Sequence, residues 1–364
     1  MRIRLLVPIA LVLAGCAHTN NAQEVRFEGI TITGDLELEK LNDEELFAAA
    51  SSFYAAEDFK QAARYFGRLA DFWPNSKHRR IALYNCGLAD EKLELWEEAF
   101  QRFHELADAN GSGDALDAAF KSAEVLYHLE RYDEAIELLN TIGTRENLGL
   151  NKRIEARVQA GICNLEAGRS EEAEKVLRKV VNDWQELSDK DQIDDYFPAQ
   201  AQFFLGEIFR LHYEEVKLDP EKTAEQLGKD LEYKAEMLLS SQGHYLRAIR
   251  IGNGYWATAS GAQIGGLYEN LWDHMMNAPI PRDMNAEEGE IYRQELRKKI
   301  RVLISKAITV YERTLEAAER IGASNPFVER TKASLQRMKD LLLAEAEAEE
   351  KGQPPVAKPK HDGT

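Results

Sequence analysis

The sequence predicts an all-α protein, built as a solenoid of antiparallel helix pairs with a less regular helical C-terminal extension. First, the apolar and small residues of "EDFKQAARYFGRLADFWP" recur every three and four positions, which is the spacing of one helix face. Second, this pattern returns every 36 to 38 residues, as in stacked helical hairpins. Third, helical spacing continues beyond the last clear copy, although less regularly.

Four copies of the pattern align position by position along the first half of the chain. Their matching residues are Phe59, Ala62, Phe66 and Leu69; Trp96, Ala99, Phe103 and Leu106; Tyr132, Ala135, Leu139 and Ile142; and Ser170, Ala173, Leu177 and Val180. We expect each alanine to lie where the two helices of a hairpin come closest. The large residue that follows it then fills the space beside the contact.

These positions resemble the tetratricopeptide repeat, a helix-turn-helix unit of about 34 residues. The first unit matches its signature at Leu46, Ala49, Ala50, Phe53, Phe59, Ala62, Phe66 and Pro74. Later units match at Leu83, Gly87, Trp96, Ala99 and Phe103; at Ala123, Tyr132 and Ala135; and at Ala160, Gly161 and Ala173. A fifth begins with Leu205, Gly206 and Phe209, before the sequence departs from the pattern at "RLHYEEVKLDPEKTAEQLG". The resemblance implies a repeat solenoid over residues 41–212.

The C-terminal region, residues 213–348, is predicted to be a degenerate continuation of the repeats. We expect helices near residues 223–251, 255–277, 286–321 and 325–348. Within them, "QIGGLYENL" and "SKAITVYERTLEAAE" look like fragments of two more hairpins. Asn285 is placed to cap the helix that begins with Glu287 and Glu288. Residues 349–364 are polar and rich in proline, which predicts a disordered tail.

The N-terminus has the build of a secretory signal peptide over residues 1–15. Arg2 and Arg4 precede an apolar run that is too short to span a bilayer, and small residues then lead to Cys16. The sequence Leu13-Ala14-Gly15-Cys16 resembles the bacterial lipobox, which implies cleavage before Cys16 and acylation of its thiol and new amino terminus. Residues 16–40 then form a lipidated linker. Ala17, where enterobacterial inner-membrane lipoproteins carry Asp, implies the outer membrane, at its periplasmic face.

Charge and cysteine usage exclude some classes of function. The 63 acidic against 46 basic side chains give a net charge of -17, which repels nucleic acid and anionic lipid headgroups. Nucleic acid is therefore not an expected partner. Besides Cys16 there are only Cys86 and Cys163, which lie two repeats apart and beyond the reach of a disulfide. We expect both to be buried free thiols.

The C-terminal half is similar to a more specific group of proteins. The succession consists of Tyr245, Trp256, Gly265, Tyr268, Pro279, Pro281, Glu288, Tyr292, Leu296, Ala307, Tyr311 and Asn325. It resembles repeat lipoproteins beside gliding-motility and other envelope machines of myxobacteria and their relatives. The resemblance implies a scaffold for motility or secretion machinery. The repeat segment also resembles lipoproteins of outer-membrane protein assembly and of pilus-secretin assembly, which stay open as alternatives.

The sequence carries few signs of catalytic chemistry. "GNGYWA" has the glycine spacing of a dinucleotide-binding turn, but a helix precedes it where that motif needs a strand, so it predicts a helix-breaking turn. The eight histidines include no zinc-binding pair, and no nucleophile elbow or phosphate loop is present. We therefore predict no cofactor, no metal, no small-molecule substrate and no enzyme activity. The alternative from another class is a hydrolase using Glu287, Glu288 or His274 near the "PIP" loop.

A stripe of aromatic residues predicts the site of partner binding. In tetratricopeptide repeats, positions two, five, nine, twelve and thirteen of each unit face the concave surface. That register supplies a candidate groove for envelope proteins: Phe47, Tyr54, Tyr84, Leu88, Phe120, Tyr127, Val158, Ile162, Phe203 and Arg210. Large exposed apolar patches mark interaction sites. The open alternative is that neighbouring helices, the C-terminal hairpins or the chain's own "VRFEGITI" segment cover this column.

Overall fold

A computed structural model describes residues 37–108, 110–187, 193–219 and 221–350. The chain divides into two compact units, one up to Asn42 and one from Asp43 onward. The described part of the first unit contains a short 3-10 helix, Leu38–Lys40. The predicted signal peptide, Cys16, the "VRFEGITI" segment and nearly all of the predicted tail lie outside the described residues.

The second unit begins with eight helices that form four antiparallel pairs. Their bounds are α1 Asp43–Ala55, α2 Phe59–Phe72, α3 Arg79–Lys92, α4 Trp96–Leu106, α5 Asp114–His128, α6 Tyr132–Gly143, α7 Leu150–Glu166 and α8 Ser170–Gln185. Each helix packs against the next one along the chain, which is the arrangement of a helical solenoid. The all-α prediction is confirmed, since the described residues contain helices and no strand.

One turn geometry recurs inside each of these four pairs. The turns carry a residue with positive φ: Glu57 at 59°, Glu94 at 57°, Glu130 at 59° and Gly168 at 77°. The amide that follows each of them donates to a carbonyl five positions earlier, at 2.9 Å in all four turns. This bond closes the end of the first helix in the manner of a Schellman motif. Its recurrence shows the repeat in the backbone as well as in the side chains.

Small residues allow the two helices of a pair to approach closely. The predicted alanines Ala62, Ala99, Ala135 and Ala173 are all fully buried, as expected. On the facing helix, a Cβ added to Gly87 would lie 2.7 Å from the Phe103 ring, and one added to Gly161 would lie 2.8 Å from Leu177. Each of these glycines leaves the space that a large side chain of the second helix fills.

Five longer helices follow. Their bounds are α9 Tyr196–Glu215, α10 Ala224–Ile251, α11 Gly254–Met276, α12 Ala286–Arg320 and α13 Pro326–Glu350. The last four agree with the predicted segments to within about two residues, the usual uncertainty of a helix end. Asn285 caps α12 as predicted, because its side chain accepts from the amides of Glu287 and Glu288 at 3.0 Å.

The same close contact between a glycine and a large side chain occurs in a fifth pair, α9 with α10, and in a sixth pair, α11 with α12. A Cβ on Gly206 of α9 would lie 2.5 Å from the ring of Tyr245 in α10. A Cβ on Gly265 of α11 would lie 2.2 Å from the ring of Tyr311 in α12. The expectation that "QIGGLYENL" and "SKAITVYERTLEAAE" belong to two hairpins was wrong. They are the two helices of one pair, and their separation in sequence reflects the length of α11 and α12.

The predicted boundary between residues 212 and 213 falls inside α9. This helix packs against α8, α10 and α11. The fully buried ring of Phe203 lies 4.9 Å from that of Trp256 in α11. Beside it, Glu207 accepts from the Tyr245 hydroxyl and from Gln263 at 2.7 Å. Helix α9 is therefore shared between the regular repeats and the C-terminal helices.

The loop after α9 is held by a buried lysine. Lys234 of α10 has no exposed surface, and its Nζ donates to the carbonyls of Tyr213 and Val216 at 2.6 and 3.0 Å. The ammonium also lies 3.8 Å above the Tyr213 ring. Burial lowers the pKa of Lys234 to about 8. A cation at this position satisfies carbonyls that the end of α9 leaves without helical partners.

Three smaller predictions have definite outcomes. "GNGYWA" is a turn between helices, in which Gly252 adopts φ 105° and Asn253 caps α11. Cys86 and Cys163 are buried free thiols, and burial raises the pKa of both. Across the described ranges, no helix is both long enough and apolar enough to cross a bilayer.

Candidate functional site

The ten predicted groove residues divide into two groups by burial. Six of them are half-buried, and they lie on α1, α3 and α5: Phe47, Tyr54, Tyr84, Leu88, Phe120 and Tyr127. This surface is called the aromatic face below. The other four lie on α7 and α9 and are buried, with exposed fractions of 0, 5, 0 and 8%: Val158, Ile162, Phe203 and Arg210.

The four buried residues correct the extent of the predicted groove. First helices of later pairs contact one another, α7 with α9 and α9 with α11, so their facing side chains become interior. Phe203 packs on aromatic rings of α10 and α11. Arg210 pairs with the buried carboxylate of Glu207 at 2.8 Å. Neighbouring helices, and α10 and α11 at Phe203, thus cover this end of the column, as one of the open alternatives held. A role in binding stays a prediction for the aromatic face.

Each tyrosine of the aromatic face rests on the second helix of its own pair. The ring of Tyr54 lies 5.3 Å from that of Phe59, and the ring of Tyr84 lies 5.4 Å from that of Phe103. Both contacts are edge-to-face, a geometry that aromatic pairs favour. One side of each ring is therefore fixed by packing, while the other side stays partly accessible.

The two phenylalanines of the aromatic face, Phe47 and Phe120, are each contacted by a polar side chain from the next helix pair along the chain. The His78 ring stacks on Phe47 at 4.4 Å, and its Nε2 contacts a Glu44 carboxylate oxygen at 2.8 Å. The ammonium of Lys152 lies 4.8 Å from the centre of the Phe120 ring. These contacts join successive pairs across the face.

A charged cluster lies at the centre of the aromatic face. Lys121 of α5 donates to Glu91 of α3 at 3.2 Å and to Glu124 at 2.8 Å. The Lys121 and Glu91 side chains are only 12% and 14% exposed. Burial raises the pKa of Glu91 to about 7, although Lys121 opposes the shift. Two carboxyl groups therefore share one ammonium in a desolvated setting, and this part of the surface becomes more negative as Glu91 ionises around pH 7.

The tyrosine hydroxyls beside this cluster remain neutral over the physiological range. Burial raises the pKa of Tyr54 and of Tyr84, and nearby Glu91 adds to the shift. Neutral hydroxyls can donate and accept, so they suit the amides and carbonyls of a polypeptide. The face therefore combines aromatic rings, hydrogen-bonding hydroxyls and a charged cluster, all of which can take part in recognition.

Sequence reasoning missed two members of this surface. Ile81 is 48% exposed and lies three positions before Tyr84, on the same side of α3. Ile81 occupies position two of its repeat, which faces the concave surface, so the repeat alignment alone could have predicted it. Lys121 lies outside the positions that face the groove in that register. Only the structure shows that its side chain reaches Glu91.

Histidines pack against rings in this region. His128 stacks on Trp96 at 4.1 Å, and burial lowers its pKa. Within the part of the chain that the structure describes, no three histidine, cysteine or acidic side chains are grouped so as to hold a metal ion.

Comparison with known proteins identifies the repeat type. Residues 46–76, which span most of α1 and α2, match the family model described as tetratricopeptide repeat. None of the curated proteins compared with the chain matches it.

Several solved structures share a distant likeness. A tetratricopeptide repeat protein from Parabacteroides merdae is 13% identical, with 82% of this chain and 98% of that chain covered and a TM-score of 0.37. A repeat protein from Bacteroides fragilis is 14% identical, with 62% of this chain and 99% of that chain covered and a TM-score of 0.30. A Rap protein complexed with competence and sporulation factor is 13% identical, with 85% of this chain and 91% of that chain covered and a TM-score of 0.39.

The assignment of the repeat depends on the chain's own features. The matched residues coincide with the first helix pair, and the turn that joins α1 to α2 recurs in the next three pairs. The chain therefore carries a tetratricopeptide repeat at residues 46–76 and continues it as an α-solenoid of antiparallel helix pairs.

Proposed function

We propose that this protein is a non-catalytic scaffold that binds a polypeptide partner through the aromatic face. The observation that carries the proposal is the row of half-buried rings on the first helices of three successive pairs. Half-exposed, rigid aromatic side chains bind with little loss of conformational freedom, and they are enriched among residues that dominate binding energy. A solenoid displays such residues over an extended surface.

The position of the alternative catalytic residues favours a scaffold over a hydrolase. Glu287 and Glu288 are both exposed, and the Glu288 carboxylate bonds to the backbone amide of Asn285 at 2.9 Å, within the cap of its own helix. His274 instead stacks on Tyr213, with ring centres 6.0 Å apart. The two carboxylates serve a helix terminus and solvent, which is not the arrangement of an acid and a base on one substrate.

The proposed setting is a bacterial envelope complex for motility or secretion, at the periplasmic face of the outer membrane. The lipobox-like sequence that ends at Cys16 supports anchoring, because several acyl chains hold a protein stably at a bilayer. The resemblance of the C-terminal half to envelope repeat lipoproteins supports the assignment to a complex. An anchored scaffold would collect its partner at the membrane.

The test of the binding face is photocrosslinking in cells. A photoreactive amino acid replaces Tyr84, and a matched variant carries it at Phe72 of α2, which is 37% exposed on the other helix type. We expect one distinct envelope protein to be captured from position 84 and not from position 72. Adding Leu88→Ala to the Tyr84 variant should weaken that capture. Crosslinks from position 84 confined to the protein's own chain would contradict the proposal.

Anchoring is tested separately by Cys16→Ser with acyl labelling. We expect the wild-type protein to take up a fatty-acid label and to sediment with membranes, and the variant to lose both properties. A Cys86→Ser variant is the matched control, since that thiol is buried in the fold. If Cys16→Ser stays in the membrane fraction and the wild type takes up no label, the lipid anchor is disproved, whatever the crosslinking shows.

A further inference from the structure

The rings at position five of the first three repeats differ in what lies against them. The imidazole of His78 stacks on Phe47 with ring centres 4.4 Å apart, and the Lys152 ammonium lies 4.8 Å from the centre of the Phe120 ring. His78 and Lys152 occupy the same position of their repeats, six residues before position five. A basic side chain of the next repeat is therefore placed against Phe47 and against Phe120.

Tyr84 is the third of these rings, and the equivalent position of the repeat that follows it is acidic. That position is held by Asp114, six residues before Phe120, and its carboxylate contacts Arg80 of α3 at 3.6 Å. The Tyr84 ring packs edge-to-face on Phe103 of its own pair and is half-buried. At the register position that supplies a basic side chain to the other two rings, the repeat after Tyr84 thus has a carboxylate.

More carboxyl groups lie near the hydroxyl of Tyr84. Burial is the main cause that raises the pKa of this hydroxyl, Lys121 lowers it, and three carboxyl groups raise it further: Asp117, Glu91 and Glu124. The pKa of the Tyr54 hydroxyl is raised by burial and then by Glu91, and Lys121 again opposes the shift. The hydroxyls of two tyrosines on different helices therefore lie within electrostatic reach of the same charged cluster.

The charges around these tyrosines do not balance. Two lysines contact four carboxyl groups: Lys121 contacts Glu91 and Glu124 at 3.2 and 2.8 Å, and Lys152 contacts Asp117 and Glu155 at 3.7 and 3.1 Å. With all four carboxyl groups ionised, four negative charges against two positive charges leave an excess of two negative charges. A cationic group from a partner would reduce this excess, whereas an anionic group would increase it.

Glu91 sets how negative this surface is near neutral pH. Burial raises its pKa to about 7, although Lys121 opposes the shift. Charged and titratable groups around it are Lys121, Glu124 and His128 of α5, Lys92 and Tyr84 of α3, and Tyr54 of α1. Burial lowers the pKa of His128, so this imidazole is mostly neutral at pH 7 and above. A cation bound beside Glu91 favours its ionised form, so the affinity for a cation rises as the pH rises through about 7.

We infer that the partner segment held by the aromatic face is basic, and that one of its Lys or Arg side chains lies on the Tyr84 ring with its charge directed at Glu91 and Glu124. This inference rests on the proposed function and adds the chemistry of the partner to it. A long basic side chain suits both parts of the surface, because its apolar stem packs on a ring while its head reaches a carboxylate. A second copy of this chain, whose net charge is -17, is a poor occupant for the same reason as an acidic peptide.

The test begins with selection of short random peptides, displayed on phage, on the purified full-length protein at pH 8. We expect the enriched peptides to contain more Lys and Arg than the starting library. The most enriched peptide is then synthesised with a fluorescent label, and its affinity is measured by anisotropy. It should bind about fivefold or more tightly at pH 8 than at pH 6, and added salt should weaken it.

Two variants and the wild-type pH profile make the test specific. Glu91→Gln should bind the labelled peptide at pH 8 about as weakly as the wild type does at pH 6, without the pH dependence. Glu137→Gln, the same exchange at an exposed residue of α6, should keep the affinity and the pH dependence of the wild type. The wild-type profile needs no substitution, so the inference stays testable if Glu91→Gln folds poorly.

Four results would overturn the inference: enrichment of no peptide, enrichment of peptides without Lys or Arg, equal affinity at pH 6 and pH 8, and equal binding of the labelled peptide by Tyr84→Ala. These results are separable from the test of the proposed function. If a partner is captured from position 84 in cells, the proposed function stands and only the basic character of the partner is lost.

Discussion

Asp90 and Asn164 occupy equivalent positions near the ends of α3 and α7. The backbone carbonyl of each accepts the turn-closing bond of its pair, at 2.9 Å. The Asn164 amide donates to the Ala160 carbonyl and accepts from Arg169, both at 2.9 Å. Asp90 is only 5% exposed and contacts the Cys86 thiol at 3.6 Å, and burial raises its pKa to about 6.

The raised pKa of Asp90 makes stability depend on pH. A carboxyl whose folded pKa exceeds its unfolded value stabilises the fold when protonated, so this contribution is present below about pH 4 and is lost as the pH rises through about 6. We expect Asp90→Asn to unfold at a higher urea concentration at pH 7 and to lack this part of the pH dependence. Arg102→Lys serves as a control for the nearby cation. An unchanged pH profile in Asp90→Asn would contradict the assignment.

The three glutamates with positive φ are held in a conformation that glycine adopts more easily. Non-glycine residues in this region carry a penalty of about 1 kcal/mol. We expect Glu94→Gly to raise the free energy of unfolding by about 0.5 kcal/mol, measured by urea denaturation. The same change at Glu98, an exposed residue in the first turn of α4, should lower it by about 1 kcal/mol, through lost helix propensity and the loss of a carboxylate near the helix N-terminus. Equal destabilisation by both changes would show that the turn does not favour glycine.

At the scale of the element, helix positions were easier to predict than helix partners. Capping at Asn285 and the stop at Gly252 depend on local chemistry, which the sequence displays directly. The contact that defines a pair joins residues only 16 apart in the second pair, Gly87 and Phe103. In the fifth and sixth pairs the contacting residues are 39 and 46 apart, because the helices are longer. A fixed period therefore could not reveal them.

Adjacent glycines in α11 give a sharp test of the sixth pair. A Cβ on Gly265 would overlap the Tyr311 ring, whereas a Cβ on Gly266 meets nothing within 4 Å. We expect Gly265→Ala to lower the free energy of unfolding by about 2 kcal/mol through overpacking. Gly266→Ala should raise it by about 0.5 kcal/mol through helix propensity. If both variants behave alike in urea denaturation, the close contact between α11 and α12 is wrong.

At the scale of the molecule, the regular repeats and the C-terminal helices share one interior. This shared interior also explains why some of the predicted groove residues are buried. The repeat register placed Val158 and Phe203 correctly on first helices, but it could not show that the following helices bury them. Tyr84 and Phe120 lie on the first helices of earlier pairs and remain half-buried. Exposure in a solenoid is set by long-range packing, which one repeat does not encode.

Trp256 tests whether the interior is continuous. Its fully buried ring packs on Phe203 and Phe204 of α9. We expect Trp256→Ala to lower the free energy of unfolding by about 3–5 kcal/mol and to reduce hydrogen-exchange protection in α9 as well as α11. Trp96→Ala, at a half-buried site against His128, should affect only the second and third pairs. Loss of protection in α11 and α12 alone, after Trp256→Ala, would show two separate folding units.

The buried ammonium of Lys234 provides a natural reporter of motion. Amine-directed footprinting reagents need a side chain that is both unprotonated and reachable, and Lys234 meets the first condition above about pH 8 but has no exposed surface. Its labelling rate therefore measures how often the end of α9 releases it. Lys229, five residues earlier on α10 and 71% exposed, calibrates the reagent. The ratio of the two rates gives the opening equilibrium at the junction between the last regular repeat and the helices beyond it.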